Sequence, residues 1–453
     1  MTISSFMGLE TALRGLQAAQ EAIDTTGHNI ANANTPGYSR QRANMTESPS
    51  LTIAANSNVD GAGVQLGTGV DVTTITRVRN QFLDVQYRAQ NSSQNQAQTQ
   101  STILDQIQTA LAEPSGNGLS KSMSEFWKSW SDLSNDPTSQ AAKQAVINNG
   151  QTLAQTFNTI DAQLATVQSQ VGQQFSQLIG SSGQVQSDAT QIAQLNKSIA
   201  SAQAAGQSPN DLLDQRDHLL DDLSSLANVS SSTDSAGMVT VKFGDAATPL
   251  VAGTTVNMPT ATDLTSAAGG QIGALLGLYN QAAGGTGTIQ TSYRGALDGI
   301  ATQVINAVNS AYQAGDPTVP NFFTWNPAST PAATIQVNPA VTALTVRAGS
   351  NPANPLGHDV ATAISNLRGQ GPDQSYAGFV AQVGSDVQSA KNTQQTAQSL
   401  VNAIGNQRQS VSGVSLDEEM ANLVAYQRAY QASARIMNTV DSMLDTLINH
   451  TGV

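Results

Sequence analysis

The sequence predicts a mainly α fold: a long helical coiled-coil rod formed by the N- and C-terminal regions, with an inserted β-rich outer domain. Three observations predict it. Aromatic residues make up 4 % and charged residues 11 % of the 453 residues, against about 25 % charged in ordinary globular domains, and the polar uncharged residues that replace them suit long, modestly packed helices. Apolar residues follow heptad spacing at both ends of the chain, and a central region is rich in Val, Thr, Gly and Pro.

The N-terminal helix is predicted from apolar residues that recur at alternating steps of three and four. They are Phe6, Leu9, Leu13, Leu16, Ile23 and Ile30, with Gln20 and Gly27 at weaker positions of the same stripe. Such a heptad seam needs a partner helix to bury it. The helix should stop before residues 35–38, "TPGY", which fit a type II turn with Gly37 at the position of positive φ.

The middle of the chain alternates helical and strand-like segments. Residues 45–78 suggest loops and short strands, and helical patterns follow over 80–112, 137–200 and 210–226. Strand candidates are "MVTVKF", "TIQV" and "ALTVRA", at 238–243, 334–337 and 343–348. We therefore expect a terminal coiled-coil domain (1–44 and 412–453), a helical rod domain (45–230, 271–314 and 358–411) and one β-rich outer domain (231–270 and 315–357).

The C-terminal helix carries a second heptad seam. Ser415 to Glu418 form a capping-box pattern at its start. The main positions are Leu416, Leu423, Tyr430, Met437 and Leu444, and Met420, Ala434 and Ile448 occupy the offset positions. Since polar residues interrupt both seams, each helix alone is weak and gains its stability from packing. The two ends should form a coiled coil that contacts with other subunits complete.

Composition and motifs exclude several functional classes. The net charge is −13 and there is no Lys/Arg run, so neither a nucleic acid nor an anionic membrane is an expected partner. The chain has no cysteine and no apolar stretch near the length of a membrane span. Because its first residues, "MTISSFMGLETALRGL", lack a basic region followed by an apolar one, we expect no secretory signal peptide. The four histidines lack metal-ligand spacing, and no nucleotide-binding or nucleophile motif occurs. We expect no enzyme activity, catalytic residue, cofactor or metal.

Two motifs resemble a known family. "NIANANTPGYSRQ" (29–41) resembles the N-terminal motif of bacterial flagellar axial proteins, which comprise rod, hook and hook-associated proteins, and residues 412–448 resemble their C-terminal motif. "NDLLDQRDHLLDDLS" (210–224) resembles the hook-associated members that join hook to filament. The matching positions are Asn29, Ile30, Ala31, Asn32, Pro36, Gly37, Tyr38, Leu416, Glu418, Glu419, Met420, Leu423, Tyr426, Gln427, Tyr430, Gln431 and Ala432.

The resemblance implies a structural subunit that joins the hook to the filament and assembles through its terminal helices into a ring-like layer on the distal hook. It implies an extracellular location in the flagellum, reached by flagellar type III export without a cleaved signal peptide. Implied partners are further copies of the chain, the hook protein, the second hook–filament junction protein, the filament cap protein in transit and an export chaperone. The alternatives are another axial protein, either the hook subunit or the second junction protein, or an axial protein carrying an inserted hydrolase.

Seams and resemblance together define a candidate assembly interface. Its residues are Phe6, Leu9, Leu13, Leu16, Ile23, Asn29, Ile30, Asn32, Pro36, Gly37, Tyr38, Leu416, Met420, Leu423, Tyr426, Tyr430, Met437 and Leu444. An intramolecular core is the simpler interpretation of any single apolar stripe. The placement of seams at both ends, together with the two motifs, favours assembly.

Overall fold

The fold is dominated by long α-helices, as the sequence predicts. The computed structural model describes residues 6–53, 64–113, 118–279, 287–314 and 316–449. The helices in these ranges are α1 (Phe6–Ala31), α2 (Gln81–Leu111), α3 (Leu119–Asn135), α4 (Gln140–Ile179), α5 (Gln184–Ala204), α6 (Asn210–Leu226), α7 (Gly270–Tyr279), α8 (Gly295–Tyr312), α9 (Pro331–Thr334), α10 (Asp359–Ser365), α11 (Gly371–Ser412) and α12 (Leu416–Asn449). Within the described ranges, no helix combines the length and the hydropathy that a membrane span requires.

Short antiparallel strands lie between the helices. They are β1 (Gln41–Glu47), β2 (Leu51–Ile53), β3 (Val64–Leu66), β4 (Val70–Arg77), β5 (Val229–Thr233), β6 (Val239–Phe243), β7 (Val251–Ala252), β8 (Thr255–Val256), β9 (Phe323–Thr324) and β10 (Gln336–Val337). β1 pairs with β4 and β2 pairs with β3. β1 begins within the segment expected to be coiled coil, so the terminal helix ends earlier than residue 44.

The terminal helices α1 and α12 pack against each other along their length, which confirms the predicted pairing of the two chain ends. The facing residues are Gly8 and Val440, Gly15 and Ser433, and Asn29 and Glu419. In each pair the residue numbers add to 448, so the two helices run antiparallel in a constant register.

The β1–β4 hairpin packs against α1 beside α12. Arg14 on α1 donates hydrogen bonds to Ser48, and to Asp71 at 3.4 Å. Gly69 has φ +110°, and a Cβ on it would lie 3.5 Å from Thr11. A side chain would be strained there, so glycine lets the hairpin approach the helix closely. α1 is thus covered on one broad face by the strand pair and α12 together.

The rod has a continuous apolar core with an aromatic cluster. Its rings belong to Phe126, Trp127, Trp130, Tyr312, Phe322 and Phe323. Neighbouring ring centroids lie 4.9 to 6.2 Å apart, a separation at which aromatic pairs attract each other. Trp127 also donates a hydrogen bond from Nε1 to Asp373 at the start of α11, at 2.9 Å.

The expected single β-rich domain is corrected by the strand pairing. β5 to β8 form a four-stranded antiparallel sheet, whereas β9 and β10 pair only with each other in the described chain. Residues 316–357 of the expected domain join the rod because Phe322 and Phe323 are buried against Phe126 on α3. Its candidate strand "ALTVRA" is not a strand: residues 343–345 form a turn, and residues 346–348 are irregular. The position of this segment is therefore set by burial of its apolar side chains in the rod, and not by addition of its strands to the β5–β8 sheet.

Candidate functional site

The two motifs of the sequence meet at one place, around the side chain of Asn29. Asn29 is 1 % exposed. Its Nδ2 donates to the Gln41 carbonyl at 2.8 Å and to Glu419 Oε2 at 3.0 Å. Its Oδ1 accepts from the Gln41 N–H at 2.9 Å and from the Tyr38 hydroxyl at 2.7 Å. This amide therefore ties α1, the start of β1 and α12 together.

Arg40 and Glu418 make a second tie between the motifs. The Arg40 N–H donates to the carbonyl of Ser412 at 2.9 Å, and the Arg40 guanidinium donates to Glu418 at 2.7 Å. We call the six residues Asn29, Tyr38, Arg40, Gln41, Glu418 and Glu419 the terminal junction. Burial raises the pKa of the Tyr38 hydroxyl, and Asp211, Asp214 and Glu419 raise it further. That hydroxyl stays protonated and remains a donor to Asn29.

The turn after α1 lies against α6. Gly37 has φ +81°, as the type II turn requires, and a Cβ on it would lie 3.2 Å from His218. The next residue, Ser39, donates to Asp214 from its N–H at 2.9 Å and from its hydroxyl at 2.8 Å. Gln41 donates to Asp211 at 2.8 Å. The "DLLDQRD" segment (211–217) thus positions the turn that follows α1.

A buried arginine–aspartate network extends from this turn into the rod. It comprises Arg77, Arg79, Arg88, Arg408, Asp84, Asp214, Asp217 and Asp221. Arg77 contacts Asp214 and Asp217, each at 2.8 Å. Arg408 on α11 contacts Asp84 at 2.9 Å and Asp221 at 2.6 Å. These ion pairs connect β4, α2, α6 and α11 into one unit.

Electrostatics support the charged state of this network. Burial acts to raise the pKa of Asp217, but Arg79, Arg77 and Arg88 outweigh it and hold that pKa below its usual range. Although burial acts to lower the pKa of Arg79, its hydrogen bond to Asp84 and the neighbouring carboxylates raise that pKa overall. Both partners are ionised at neutral pH, and each arginine is matched to at least one carboxylate.

The α12 seam differs by one residue from the predicted offset positions. Leu423, Tyr430, Met437 and Leu444 are half-buried, as a seam position should be, but Leu416 and Met420 are exposed. The second row of the seam consists of Glu419, Tyr426, Ser433 and Val440. The prediction is wrong at Met420, which is exposed, whereas the charged Glu419 is buried because its carboxylate accepts a hydrogen bond from Asn29. Ala434 of the predicted row is half-buried, and the side chain of Ile448 lies outside the described residues.

On α1 the fully buried residues are small, and the predicted leucines are not among them. Ala12, Ala18, Ala19, Ala22, Thr25 and Thr26 are buried. Leu9, Leu16, Ile23 and Ile30 are half-buried, and Leu13 is 43 % exposed. Asn32 and Tyr38 are half-buried, Pro36 and Gly37 are exposed, and the side chain of Phe6 lies outside the described residues. Small residues let α12 and the hairpin approach this face of α1 closely.

Sequence reasoning missed Glu419 as a buried anchor and the arginine–aspartate network as a whole. The sequence feature that could have identified Glu419 is its position in the C-terminal motif. The network joins residues far apart in the chain, such as Arg408 and Asp84, and no local spacing marks such pairs.

Comparison with known proteins matches the same regions. Family profiles described as "Flagella basal body rod protein" and "Flagellar basal body rod FlgEFG protein C-terminal" match residues 9–38 and 406–450. A profile described as "Flagellar hook-associated protein FlgK helical domain" matches residues 104–318. The flagellar hook-associated protein 1 of Bacillus subtilis (strain 168) is 31 % identical, and the alignment covers 99 % of both chains.

The chain belongs to the flagellar hook-associated protein 1 family. The Escherichia coli (strain K12) member is 26 % identical over 97 % of this chain and 99 % of its own length. A structure of the flagellar hook junction protein FlgK from Burkholderia pseudomallei is similar with a TM-score of 0.44 and 22 % identity, over 53 % of this chain and 47 % of that one. The prediction of a structural flagellar protein of the hook–filament junction is confirmed at the level of the hook-associated protein 1 family.

Proposed function

We propose that the chain joins hook to filament by assembling through α1 and α12 into a ring-like layer on the distal hook. The observation that supports this is the incomplete burial of the terminal pair. Leu13, Leu416, Met420, Val424, Ile436 and Met443 are all exposed. Complete burial of an exposed apolar side chain of this size contributes about 1.5–3 kcal/mol, and burial against neighbouring copies would supply the part that these half-exposed side chains lack.

The exposed residues of α12 lie on both sides of its seam with α1. At about 100° per residue, Leu416, Met420 and Val424 project to one side near the helix start, and Ile436 and Met443 to the other side near its end. A helix pair with apolar residues on both flanks suits a closed layer in which each subunit contacts two neighbours.

The terminal junction and the arginine–aspartate network give this assembly its mechanical role. They fix the helix pair to the rod through buried hydrogen bonds and ion pairs, so a load on α1 and α12 reaches the rod through more than one contact. Expected partners are further copies of this chain, the hook protein and the second hook–filament junction protein, with the filament cap protein and an export chaperone during transit. The proposed location is extracellular, reached by flagellar type III export without a cleaved signal peptide.

Electron microscopy of a strain lacking this gene tests the function. Complete but bare hooks, with flagellin in the medium and the second junction protein absent from the hook tip, are the expected result. Truncated hooks would move the chain to the hook or rod, and normal filaments would overturn the proposal.

Complementation of that strain tests the interface. A chain with Met420→Gln and Val424→Gln should fail to restore filaments, because both polar substitutions fall on the exposed flank of α12. Leu344→Gln is the matched control, since Leu344 is also exposed but lies outside the terminal helices. Filaments restored equally by both chains would contradict assembly through this flank.

A further inference from the structure

A cleft of about 790 Å³ runs beside α6, between β4 and α2 on one side and the end of α5 and β5 on the other. Four arginines and two aspartates line it: Arg77, Arg79, Arg88, Arg216, Asp84 and Asp217. The lining is therefore positive, although the chain as a whole has a net charge of −13. We call it the Arg216 cleft.

Three of the four arginines are already paired. Arg77 contacts Asp217 at 2.8 Å, Arg79 contacts Asp84 at 2.8 Å, and Arg88 contacts Asp221 at 2.7 Å. They belong to the arginine–aspartate network and have little capacity for a further anion.

Arg216 is different, because it is buried without a carboxylate. It is 6 % exposed. Its Nη1 donates to the Gly237 carbonyl at 2.6 Å and to Asn196 Oδ1 at 3.1 Å. Its Nε has no hydrogen-bond partner, and no carboxylate among the described residues lies within 4.0 Å of its nitrogens. The Nε–Nη2 edge of the guanidinium, which in other proteins binds a carboxylate through two parallel bonds, has no acceptor among the described residues.

The surroundings of Arg216 disfavour its charge. Burial lowers the pKa of its guanidinium, and Arg77 and Arg88 lower it further, while Asp217 and Asp234 offset part of the effect. Arginine nevertheless stays charged at any physiological pH. A buried charge that cannot be neutralised attracts a counter-ion strongly.

We propose that the Arg216 cleft binds a carboxylate group on the Nε–Nη2 edge of Arg216, and that its lining moves to admit the ligand, because Nε is enclosed by the protein. A carboxylate fits better than a phosphate, since Asp84 and Asp217 in the same lining repel a second negative charge. Its source is either an acidic side chain of a second copy of this chain or a small free acid. The second copy is favoured by the exposed Phe82 and Val85 at the start of α2, because Val85 also lines the cleft; that source rests on the proposed function.

Glutarate is the probe for the carboxylate site. We expect glutarate to raise the Tm of the purified full chain above that in sodium chloride of equal ionic strength. Arg216→Gln keeps a donor for the Gly237 carbonyl but removes the charge, and it should weaken the apparent affinity by about tenfold or more. Arg347→Gln is the matched control, since Arg347 also donates to backbone carbonyls, those of Tyr312 and Ala314. Equal stabilisation of all three proteins, or none of the wild type, overturns the proposal.

Arg216→Lys decides the case if Arg216→Gln does not fold. Lysine keeps the charge but cannot donate two parallel hydrogen bonds. Weaker but measurable glutarate binding supports the carboxylate site. Affinity equal to that of the wild type contradicts binding on the Nε–Nη2 edge.

Sedimentation of the concentrated chain distinguishes the two sources. If a second copy supplies the carboxylate, Arg216→Gln reduces self-association and glutarate competes with it in the wild type. If glutarate binds but self-association is unchanged by Arg216→Gln, the ligand is a free acid and the carboxylate site still stands. A wild-type chain that binds glutarate and never self-associates would count against the proposed function alone.

Discussion

At the scale of single residues, a few buried polar side chains decide how the chain ends meet. Asn29 uses both oxygen lone pairs and both amide hydrogens within the protein. It links residues 390 positions apart in the chain through Glu419. Because a buried polar group is stable only when its partners are in place, Asn29 selects one arrangement of α1, β1 and α12.

Asn29→Ala tests this role. It leaves the Gln41 N–H and the Glu419 carboxylate without a partner, and an unsatisfied buried group costs about 1–3 kcal/mol. We expect a loss of about 2–4 kcal/mol in the free energy of unfolding of the unit that contains α1, measured by urea denaturation. Asn34→Ala is the control, since Asn34 lies in the same motif but is exposed. Equal effects of the two substitutions would contradict the role of Asn29.

Asp188 on α5 is a buried carboxyl with an unpartnered Oδ2. Burial, reinforced by Asp222, raises the pKa of Asp188 to about 6, so the folded protein holds a proton that the unfolded chain releases near pH 4. The stability contributed by this group falls as pH rises from about 4 to 6 and stays low above that.

Asp188→Asn should therefore stabilise the protein at pH 7 by about 1–3 kcal/mol and have little effect at pH 4. Urea denaturation at the two pH values measures the difference. Asp24→Asn on α1 is the exposed control. A gain that is equal at both pH values would show that Asp188 does not titrate in this window.

At the scale of elements, α1 is a helix built for close approach. Its buried positions are mostly alanine and threonine, and its two partners, α12 and the hairpin, pack side by side against the face that these residues form. The larger apolar residues remain half-buried. α1 is therefore stable in this position, while its leucines remain accessible for contacts with other subunits.

Alanine substitutions at two glycines of α1 distinguish the effect of helix propensity on stability from the effect of packing against α12. Gly27 has nothing within 4 Å of an added Cβ, whereas an added Cβ on Gly15 would lie 2.9 Å from Ser433 Oγ. We expect Gly27→Ala to stabilise α1 by about 1 kcal/mol, and Gly15→Ala to gain less because Ser433 must move. Amide hydrogen exchange of α1 in the purified chain measures both. The same gain for both would mean that α12 does not pack closely at Gly15.

At the scale of the whole molecule, the arginine–aspartate network holds β4 to the rod helices, and the hydrogen bonds from Ser39 to Asp214 join the turn after α1 to this network. It joins one strand and three helices that are distant in the chain. The β5–β8 sheet and the aromatic cluster lie outside it and stabilise other parts of the molecule. Coupling of the two ends to the rod thus depends on few residues.

Asp217→Asn should loosen this coupling. Removing one partner of a buried ion pair costs about 3–5 kcal/mol, and here it leaves Arg79 and Arg77 short of a carboxylate. We expect a lower Tm and separate calorimetric transitions for the terminal pair and the rod. The difference from wild type should shrink below about pH 4, because Asp217, whose pKa is lowered by folding, then stops contributing.

Lys128→Gln is the control for that experiment, since the Lys128–Asp132 pair is exposed and such pairs contribute about 0–1 kcal/mol. A single unshifted transition in Asp217→Asn would show that the network does not couple the two parts.

The sequence alone determined that both chain ends are helices and that they need each other. Heptad spacing identifies the apolar stripe, and the two motifs identify the family. It also placed β6 correctly at "MVTVKF", where alternate residues Val239, Val241 and Phe243 are buried.

Only the tertiary structure decided the direction of the helix pair, the face that α12 uses and the place of residues 315–357. The periodicity of apolar residues predicts which side chains are buried, but it does not predict which surface of the protein they pack against. Glu419 lies in the seam because Asn29 on α1 donates a hydrogen bond to it. Phe322 packs in the rod because it contacts Phe126 of the aromatic cluster. Residues that lie hundreds of positions apart in the chain show no local sequence pattern when they contact each other. Such pairs are therefore identified only from the folded structure.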